Sequence, residues 1–130
     1  MAILSPASSA ASPMKDRLFL LRPDFADAAA GDGVYYCPAC AEVRGLLDYH
    51  PELLDRIDLQ EIDYPRPRAE VAALLGEPHP GCPVLVLADS RETPIGANIR
   101  TAPTGRRYVD GPRDIGHYLA VLYGSAKPHP

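Results

Sequence analysis

The sequence predicts one domain of the α/β class, with a mixed sheet of four strands flanked by about three helices. Short apolar runs alternate with helical stretches in the first half of the chain, which favours a parallel strand pair joined by a crossover. The second half holds two short strands close together before a last helix, which favours antiparallel pairing. A length of 130 residues suits a single domain.

The first strand and the segment after it are read from residues 17–36. Residues 17–22 form a short apolar run bounded by arginines, typical of a strand buried on both faces. Pro23 ends this run. Residues 24–33 show no hydrophobic period, so we predict a loop there, followed by a short extended piece at residues 34–36.

A helix is predicted over residues 38–49. Val43, Leu46 and Leu47 have the spacing of one helical face. Pro38 suits the first helical position, where a missing N–H costs nothing, and this makes Cys37 the predicted N-cap. The proline at position 51 marks the end of the helix.

The later elements follow from apolar runs and from proline and glycine positions. In order, we predict a short helical turn, a strand, a helix, a buried strand, a short strand and a final helix, at residues 51–56, 57–63, 68–75, 84–87, 106–109 and 112–123. Gly76 and Gly124 suit the helix ends. Pro83 is tolerated because it opens its strand. Residues 88–105 read as a long polar loop.

The composition of the chain excludes several classes of function. The net charge of −4 and the pI of about 5.5 give no electrostatic footprint for nucleic acid. Three cysteines are too few for a secreted scaffold held by disulfides. No apolar run approaches the length of a membrane span, so no membrane partner is expected.

The ends of the chain are predicted to lie outside the domain. Residues 1–13 are rich in Ala, Ser and Pro and lack both a basic start and an apolar core, so they make a poor signal peptide. We expect a disordered extension at residues 1–15, a domain at 16–124 and a tail at 125–130. A cytoplasmic location follows, where a C-x-x-C pair is more often catalytic or metal-binding than structural.

The most informative stretch is Cys37-Pro38-Ala39-Cys40 at the start of the predicted helix. A sulfur at the N-cap lies near unpaired backbone N–H groups and the positive end of the helix dipole, which favours the reactive thiolate. Cys40 follows one turn later, close enough for a disulfide. The same spacing also occurs in zinc half-sites and in pairs of inert buried cysteines.

Three features make the chain resemble the thioredoxin-like superfamily over about residues 16–124. Tyr36 followed by Cys-Pro-Ala-Cys is similar to the glutaredoxin form of the motif. Pro83 opens a strand where that superfamily carries a cis-proline facing the motif. The segment from Tyr108 to Leu119 is similar to the end of a glutathione-transferase N-terminal domain. A closer resemblance is to a bacterial domain-of-unknown-function family with this fold, which implies no activity.

The resemblance implies a thiol–disulfide oxidoreductase acting on a protein or small-thiol partner. Cys37 would attack and Cys40 would resolve the mixed disulfide. The substrate-binding candidates are Tyr36, Pro38, Cys82, Pro83 and Asp110. The backbone of Cys82 would bind an extended peptide or glutathione by strand-like hydrogen bonds. Asp110 and Asp114 are candidates for the amine end of glutathione, with helix capping as their alternative role.

Two departures from the glutaredoxin pattern bear on the site. Residues 23–34 intervene between the first strand and the motif, and this insertion would cover the thiol or shape its partner site. Cys82 stands immediately before the proline, which by implication brings a third sulfur close to Cys37.

Two other functions remain open from the residues. Cys37, Cys40, Cys82 and His79 make a legitimate set of ligands for zinc, and an iron–sulfur cluster is a related alternative. The second of these functions is a non-catalytic interaction domain. In that case, residues 88–105 and the pair Arg106-Arg107 would contact an acidic partner. The redox hypothesis itself requires no bound cofactor, with glutathione as one conceivable small thiol.

Overall fold

The computed structural model describes residues 15–89, 92 and 96–130, so most of the predicted N-terminal extension lies outside the described residues. The described residues form seven strands and three α-helices. The strands are β1 to β7, at Asp16–Leu21, Phe25–Asp27, Gly31–Tyr35, Ile57–Ile62, Val84–Val86, Arg100–Thr101 and Arg107–Asp110. The helices are α1 to α3, at Pro38–Tyr49, Ala69–Leu75 and Pro112–Tyr123, and a 3-10 helix spans Pro51–Asp55.

A mixed five-stranded sheet forms the centre of the molecule, in the order β4-β1-β5-β7-β6. The α/β class and the parallel pair of β1 with β4 are confirmed, as is the antiparallel pair of β5 with β7. The expected number of strands was wrong, because Arg100–Thr101 adds a short edge strand to β7 from within the predicted polar loop. Because β1 and β4 are parallel, their C-terminal ends lie side by side, at the end of the sheet that α1 approaches.

The insertion between β1 and the motif forms a hairpin rather than the predicted loop. Strands β2 and β3 pair antiparallel in a separate two-stranded sheet. The ring of Phe25 in β2 stacks on Tyr64, with centroids 4.3 Å apart, and the Tyr64 hydroxyl donates to Asp27 at 3.1 Å. A tertiary contact with the segment after β4 thus holds a hairpin that its own sequence does not specify.

The core is built around β1, whose Leu18, Phe19 and Leu20 are almost fully buried. Successive side chains of a strand point to opposite faces, so both faces of the sheet are covered. Asp16 is also buried, and its carboxylate accepts hydrogen bonds from the Ala88 N–H at 2.8 Å and the Tyr118 hydroxyl at 2.5 Å. Helix α3 is thereby tied to the start of β1.

The predicted tail packs back onto the domain. Ser125 is buried, the Ala126 N–H donates to Nε2 of His50 at 3.4 Å, and Arg113 donates to the His129 carbonyl at 2.8 Å. Gly116 of α3 matters here, because a Cβ at that position would lie 3.0 Å from Pro128. No helix in the described part of the chain is both long and apolar enough to cross a membrane.

Candidate functional site

Cys37 occupies the N-cap of α1, as the sequence predicts. Its backbone is extended (φ −82°, ψ 112°), and its sulfur accepts a hydrogen bond from the Cys40 N–H at 3.2 Å. The Cys37 carbonyl also accepts the first helical bond, from Ala41 at 3.0 Å. The side chain is partly exposed. The Cys37 sulfur therefore lies at the N-terminal end of α1, in contact with one of its first backbone N–H groups.

Cys40 has a different environment one turn into the helix. It is only 4% exposed, and its sulfur accepts a hydrogen bond from the Leu21 N–H of β1 at 3.5 Å. Burial, and to a smaller extent the hydrogen bond with Cys37, raise the pKa of the Cys40 thiol to about 12. The pair is therefore asymmetric, with one accessible sulfur and one buried sulfur.

The loop before β5 faces the motif. The Cys37 thiol donates to the backbone carbonyl of Cys82, with 3.7 Å between sulfur and oxygen. The peptide bond between Cys82 and Pro83 is cis, as are those preceding Pro67 and Pro78. All three cysteines are free thiols. The structure thus brings Cys37, Cys40 and the Cys82-Pro83 segment together.

Two arginines near Cys82 were not found from the sequence. Burial raises the pKa of the Cys82 thiol to about 11, while the positive charges of Arg68 and Arg66 oppose that rise. Arg68 is 7% exposed, and it donates to the Tyr64 carbonyl through Nε and Nη2 at 3.0 and 2.6 Å. An Arg-Pro-Arg segment between a strand and a helix gives no sign of such a location, because the contact is made across the fold.

A cleft of about 310 Å³ opens beside the motif on the side of β1 and β4. Its lining residues are Leu20, Leu21, Pro23, Tyr36, Cys37, Cys40, Ala41, Arg44 and Glu61. Both motif cysteines therefore border one cavity. Of these residues, the sequence predicted only Tyr36 and the two cysteines as parts of the site.

A family model described as a protein of unknown function, DUF3088, matches residues 15–127. The match spans most of the 130 residues. The chain belongs to the DUF3088 family. No curated protein and no solved structure matches it.

The remaining predicted substrate contacts of this DUF3088 chain are only partly at the motif. Tyr36 is 62% exposed beside Cys37, and Pro38 is exposed at the first turn of α1. The carboxylate of Asp110 lies 3.3 Å from Arg100, and that of Asp114 accepts from Asn98 at 3.0 Å. Both carboxylates therefore already have partners in β6 or just before it, although the backbone of Asp110 pairs in register with Val84, next to Pro83.

The four-residue metal set is not assembled. Within the described residues, no group of three or more His, Cys, Asp or Glu side chains is arranged to hold a metal ion. The ring of His79 is turned to other partners: the Pro80 carbonyl at 2.9 Å, Arg66 at 3.4 Å and Glu77 at 3.6 Å. In the alternative metal set, the ring of His79 therefore has partners other than the three cysteines.

The segment expected to contact an acidic partner is partly described. Residues 90–91 and 93–95 of the predicted loop lie outside the described part of the chain. Arg106 uses its guanidinium internally, 3.1 Å from the Asp89 carboxylate and 3.3 Å from the Leu87 carbonyl. This arginine therefore serves to close the loop onto the end of β5.

The DUF3088 site as a whole presents two free thiols one helical turn apart, a partly exposed one at Cys37 and a buried one at Cys40. A thiolate at Cys37 can attack an electrophilic sulfur approaching from the exposed side. Cys40, which is 4% exposed, is shielded from direct contact with such a reagent. The arrangement has the parts required for thiol–disulfide exchange.

Proposed function

We propose that this protein is a thiol–disulfide oxidoreductase with a thioredoxin-like fold, in which Cys37 attacks and Cys40 resolves. The observation that carries the proposal is the asymmetry of the pair: Cys37 is a partly exposed helix cap, and Cys40 is a buried thiol one turn later. The parallel pair of β1 and β4, with the motif helix between them and Pro83 at the entry to antiparallel β5, supports the fold.

The proposed reaction reduces a disulfide by two electrons. The Cys37 thiolate attacks one sulfur of the substrate, forming a mixed disulfide and releasing the other sulfur as a thiolate. Cys40 then gives up its proton, attacks the Cys37 sulfur and releases the second substrate thiolate. The two protons of the motif thiols pass to the released thiolates, and the protein is left with a Cys37–Cys40 disulfide.

The backbone supports the same proposal. The Cys82 carbonyl, which accepts a hydrogen bond from the Cys37 thiol across 3.7 Å, can instead accept one from the N–H of an extended substrate. A reducing partner, either a protein dithiol or a small thiol such as glutathione, would return the motif to the dithiol form. A cytoplasmic location belongs to this proposal, because a reducing compartment keeps that dithiol available.

The test is to trap the intermediate. The Cys40→Ser variant, mixed with an aromatic disulfide that releases a coloured thiol, should release one thiol per chain and keep one adduct on Cys37. The wild type should release two thiols and keep no adduct. The Cys37→Ser variant is the control, and it should release no coloured thiol in the time that the other two proteins need to react. Loss of the adduct from Cys40→Ser, or equal reaction of Cys37→Ser, would contradict the assignment of roles.

A further inference from the structure

The cleft beside the motif is lined by cysteines, by apolar residues and by two charged residues, Arg44 and Glu61, which we call its rim. Leu20 and Leu21 of β1 line it, as do Cys37 and Cys40 at the start of α1. In α/β sheets, ligands bind in the crevice beyond the carboxyl ends of the parallel strands. This cleft lies at the ends of β1 and β4, because Glu61 near the end of β4 pairs in register with Leu20.

The rim carries two opposite charges. The guanidinium of Arg44 lies 3.6 Å from the carboxylate of Glu61, and the two side chains are 54% and 36% exposed. Arg44 is four residues after Cys40, which places both on the same side of α1. Both charged residues therefore line the same cavity as the motif cysteines.

The ion pair is loose enough to admit a ligand. A distance of 3.6 Å exceeds that of a good hydrogen bond, so each group retains donors or acceptors for another partner. An exposed pair of this kind contributes about 1 kcal/mol or less to stability, so separating it costs little. A ligand with a carboxylate beside Arg44 and an ammonium beside Glu61 would replace the one Arg44–Glu61 contact with two ion pairs.

We propose that this cleft binds the charged end of a small disulfide that carries both an ammonium and a carboxylate group, as in an amino acid. The volume of about 310 Å³ is at the small end of ligand pockets and suits one amino-acid-sized group. The inference rests on the proposed function, since it names the substrate class of the same site. It places the ligand in a cleft whose lining residues do not include Cys82.

Holding the charged end at the rim would direct the disulfide toward Cys37. The Cys37 thiolate attacks the near sulfur, the S–S bond of the substrate breaks, and the far half leaves as a thiolate that takes a proton. Cys40 then displaces the bound half, which also leaves as a thiol. The motif loses two electrons and the disulfide gains them.

The test measures a single turnover of the reduced full-length protein with four small disulfides. They are cystine, dianionic 3,3′-dithiodipropionate, dicationic cystamine and neutral bis(2-hydroxyethyl) disulfide. The Arg44→Gln variant should lower the rate constants for cystine and dithiodipropionate by about threefold to tenfold and leave the neutral disulfide within about twofold. Glu61→Gln should lower those for cystine and cystamine and raise that for dithiodipropionate.

Arg100→Gln is the matched control. Arg100 forms a pair of similar exposure with Asp110, and Arg100 lies in the strand at the opposite edge of the sheet, so once salt has suppressed long-range steering its loss should leave all four rate constants within about twofold. The measurements are repeated in high salt, which suppresses long-range steering but leaves contact at the rim. Equal effects of Arg44→Gln and Arg100→Gln, or no preference for charged over neutral disulfides, would overturn the inference.

A second readout separates this inference from the proposed function. S-methylcysteine cannot exchange, but it carries the same charged end. It should slow alkylation of Cys37 in the wild type and in Arg100→Gln, and not in Arg44→Gln. If no disulfide reacts at all, the proposed redox function fails, and this protection alone decides whether the cleft binds such a ligand. Absence of protection in the wild type would reject the cleft.

Discussion

The Cys37 thiol donates to the Cys82 carbonyl across 3.7 Å, although the two residues are 45 positions apart in the chain. The same sulfur accepts from the Cys40 N–H at 3.2 Å. It is thus held between the start of a helix and the entry to a strand. Cys82 contributes only its backbone carbonyl to this contact. Its side chain can therefore be substituted without loss of the geometry at Cys37.

Alkylation should distinguish the two motif cysteines. With a pKa of about 12 and an exposure of 4%, Cys40 stays a buried thiol at neutral pH, while Cys37 is reachable from solvent. Iodoacetamide at near-neutral pH should label Cys37 first, and mass spectrometry of peptides gives the order. In Cys37→Ser, Cys40 should stay unlabelled until denaturant is added. Faster labelling of Cys40 than Cys37 in the wild type would show that the nucleophile is misassigned.

Cys82→Ser should leave the motif working. The substitution removes the sulfur but keeps the carbonyl that contacts Cys37, so we expect disulfide exchange within about twofold of the wild type. The measurement is the rate of the aromatic-disulfide reaction in both proteins. A matched comparison is Cys40→Ser, which stops the reaction at the mixed disulfide. If Cys82→Ser blocks formation of the motif disulfide, Cys82 takes part in the chemistry and the two-cysteine scheme is wrong.

Tyr64→Leu should release the β2–β3 hairpin. The variant removes the ring stacking with Phe25, worth about 0.5–1.5 kcal/mol in such pairs, and the hydrogen bond to Asp27. Amide hydrogen exchange should quicken over residues 25–35 and stay slow in β1. Tyr49→Leu, at a side chain that is 82% exposed, serves as the control. Unchanged exchange in the hairpin would mean that contacts other than those of Tyr64 hold it.

Stability should fall in alkaline solution. The pKa values of Cys40 and Cys82 are raised to about 12 and about 11 from an ordinary 9.0, so the unfolded chain loses these protons first as pH rises. Above about pH 9, each thiol should lower the free energy of unfolding by about 1.4 kcal/mol per pH unit until its folded pKa is reached. The pKa of Tyr64, raised by its hydrogen bond to Asp27, acts in the same direction.

Urea unfolding from about pH 8 to about pH 10.5 measures this effect. Cys82→Ala should make the decline less steep, because one of the two thiols no longer titrates. A free energy of unfolding that does not change over this range would contradict the burial of the thiols.

Helix α1 was predictable because its signals are local. Pro38 fixes the first turn, Cys37 precedes it, and the apolar spacing marks the buried face. The two-residue strand at Arg100–Thr101 was not, since it lies in a polar loop and its only pattern is the pairing with β7. The hairpin after β1 depends in the same way on Tyr64, which is 39 positions beyond Phe25 and carries no sign of that contact.

The site shows the same difference between features set by local sequence, which could be predicted, and features set by contacts across the fold, which could not. The Cys-Pro-Ala-Cys spacing and the proline at the entry of β5 identified the sulfurs and the loop that faces them. Arg44 and Glu61 could not be paired from the sequence, because one lies on a helix and the other on a strand whose register decides the contact. His79 was assigned by residue type alone, and its ring packs against Arg66 instead.

The most direct test of the central claim is the disulfide state of the wild-type protein at redox equilibrium. The protein is equilibrated in buffers of graded dithiol-to-disulfide ratio, the remaining thiols are alkylated in acid-quenched samples, and peptides are mapped by mass spectrometry. The account predicts one reversible disulfide, joining Cys37 to Cys40, with Cys82 alkylated throughout. A motif that stays fully reduced across the series, or a disulfide that joins Cys82 to either motif cysteine in its place, would contradict it.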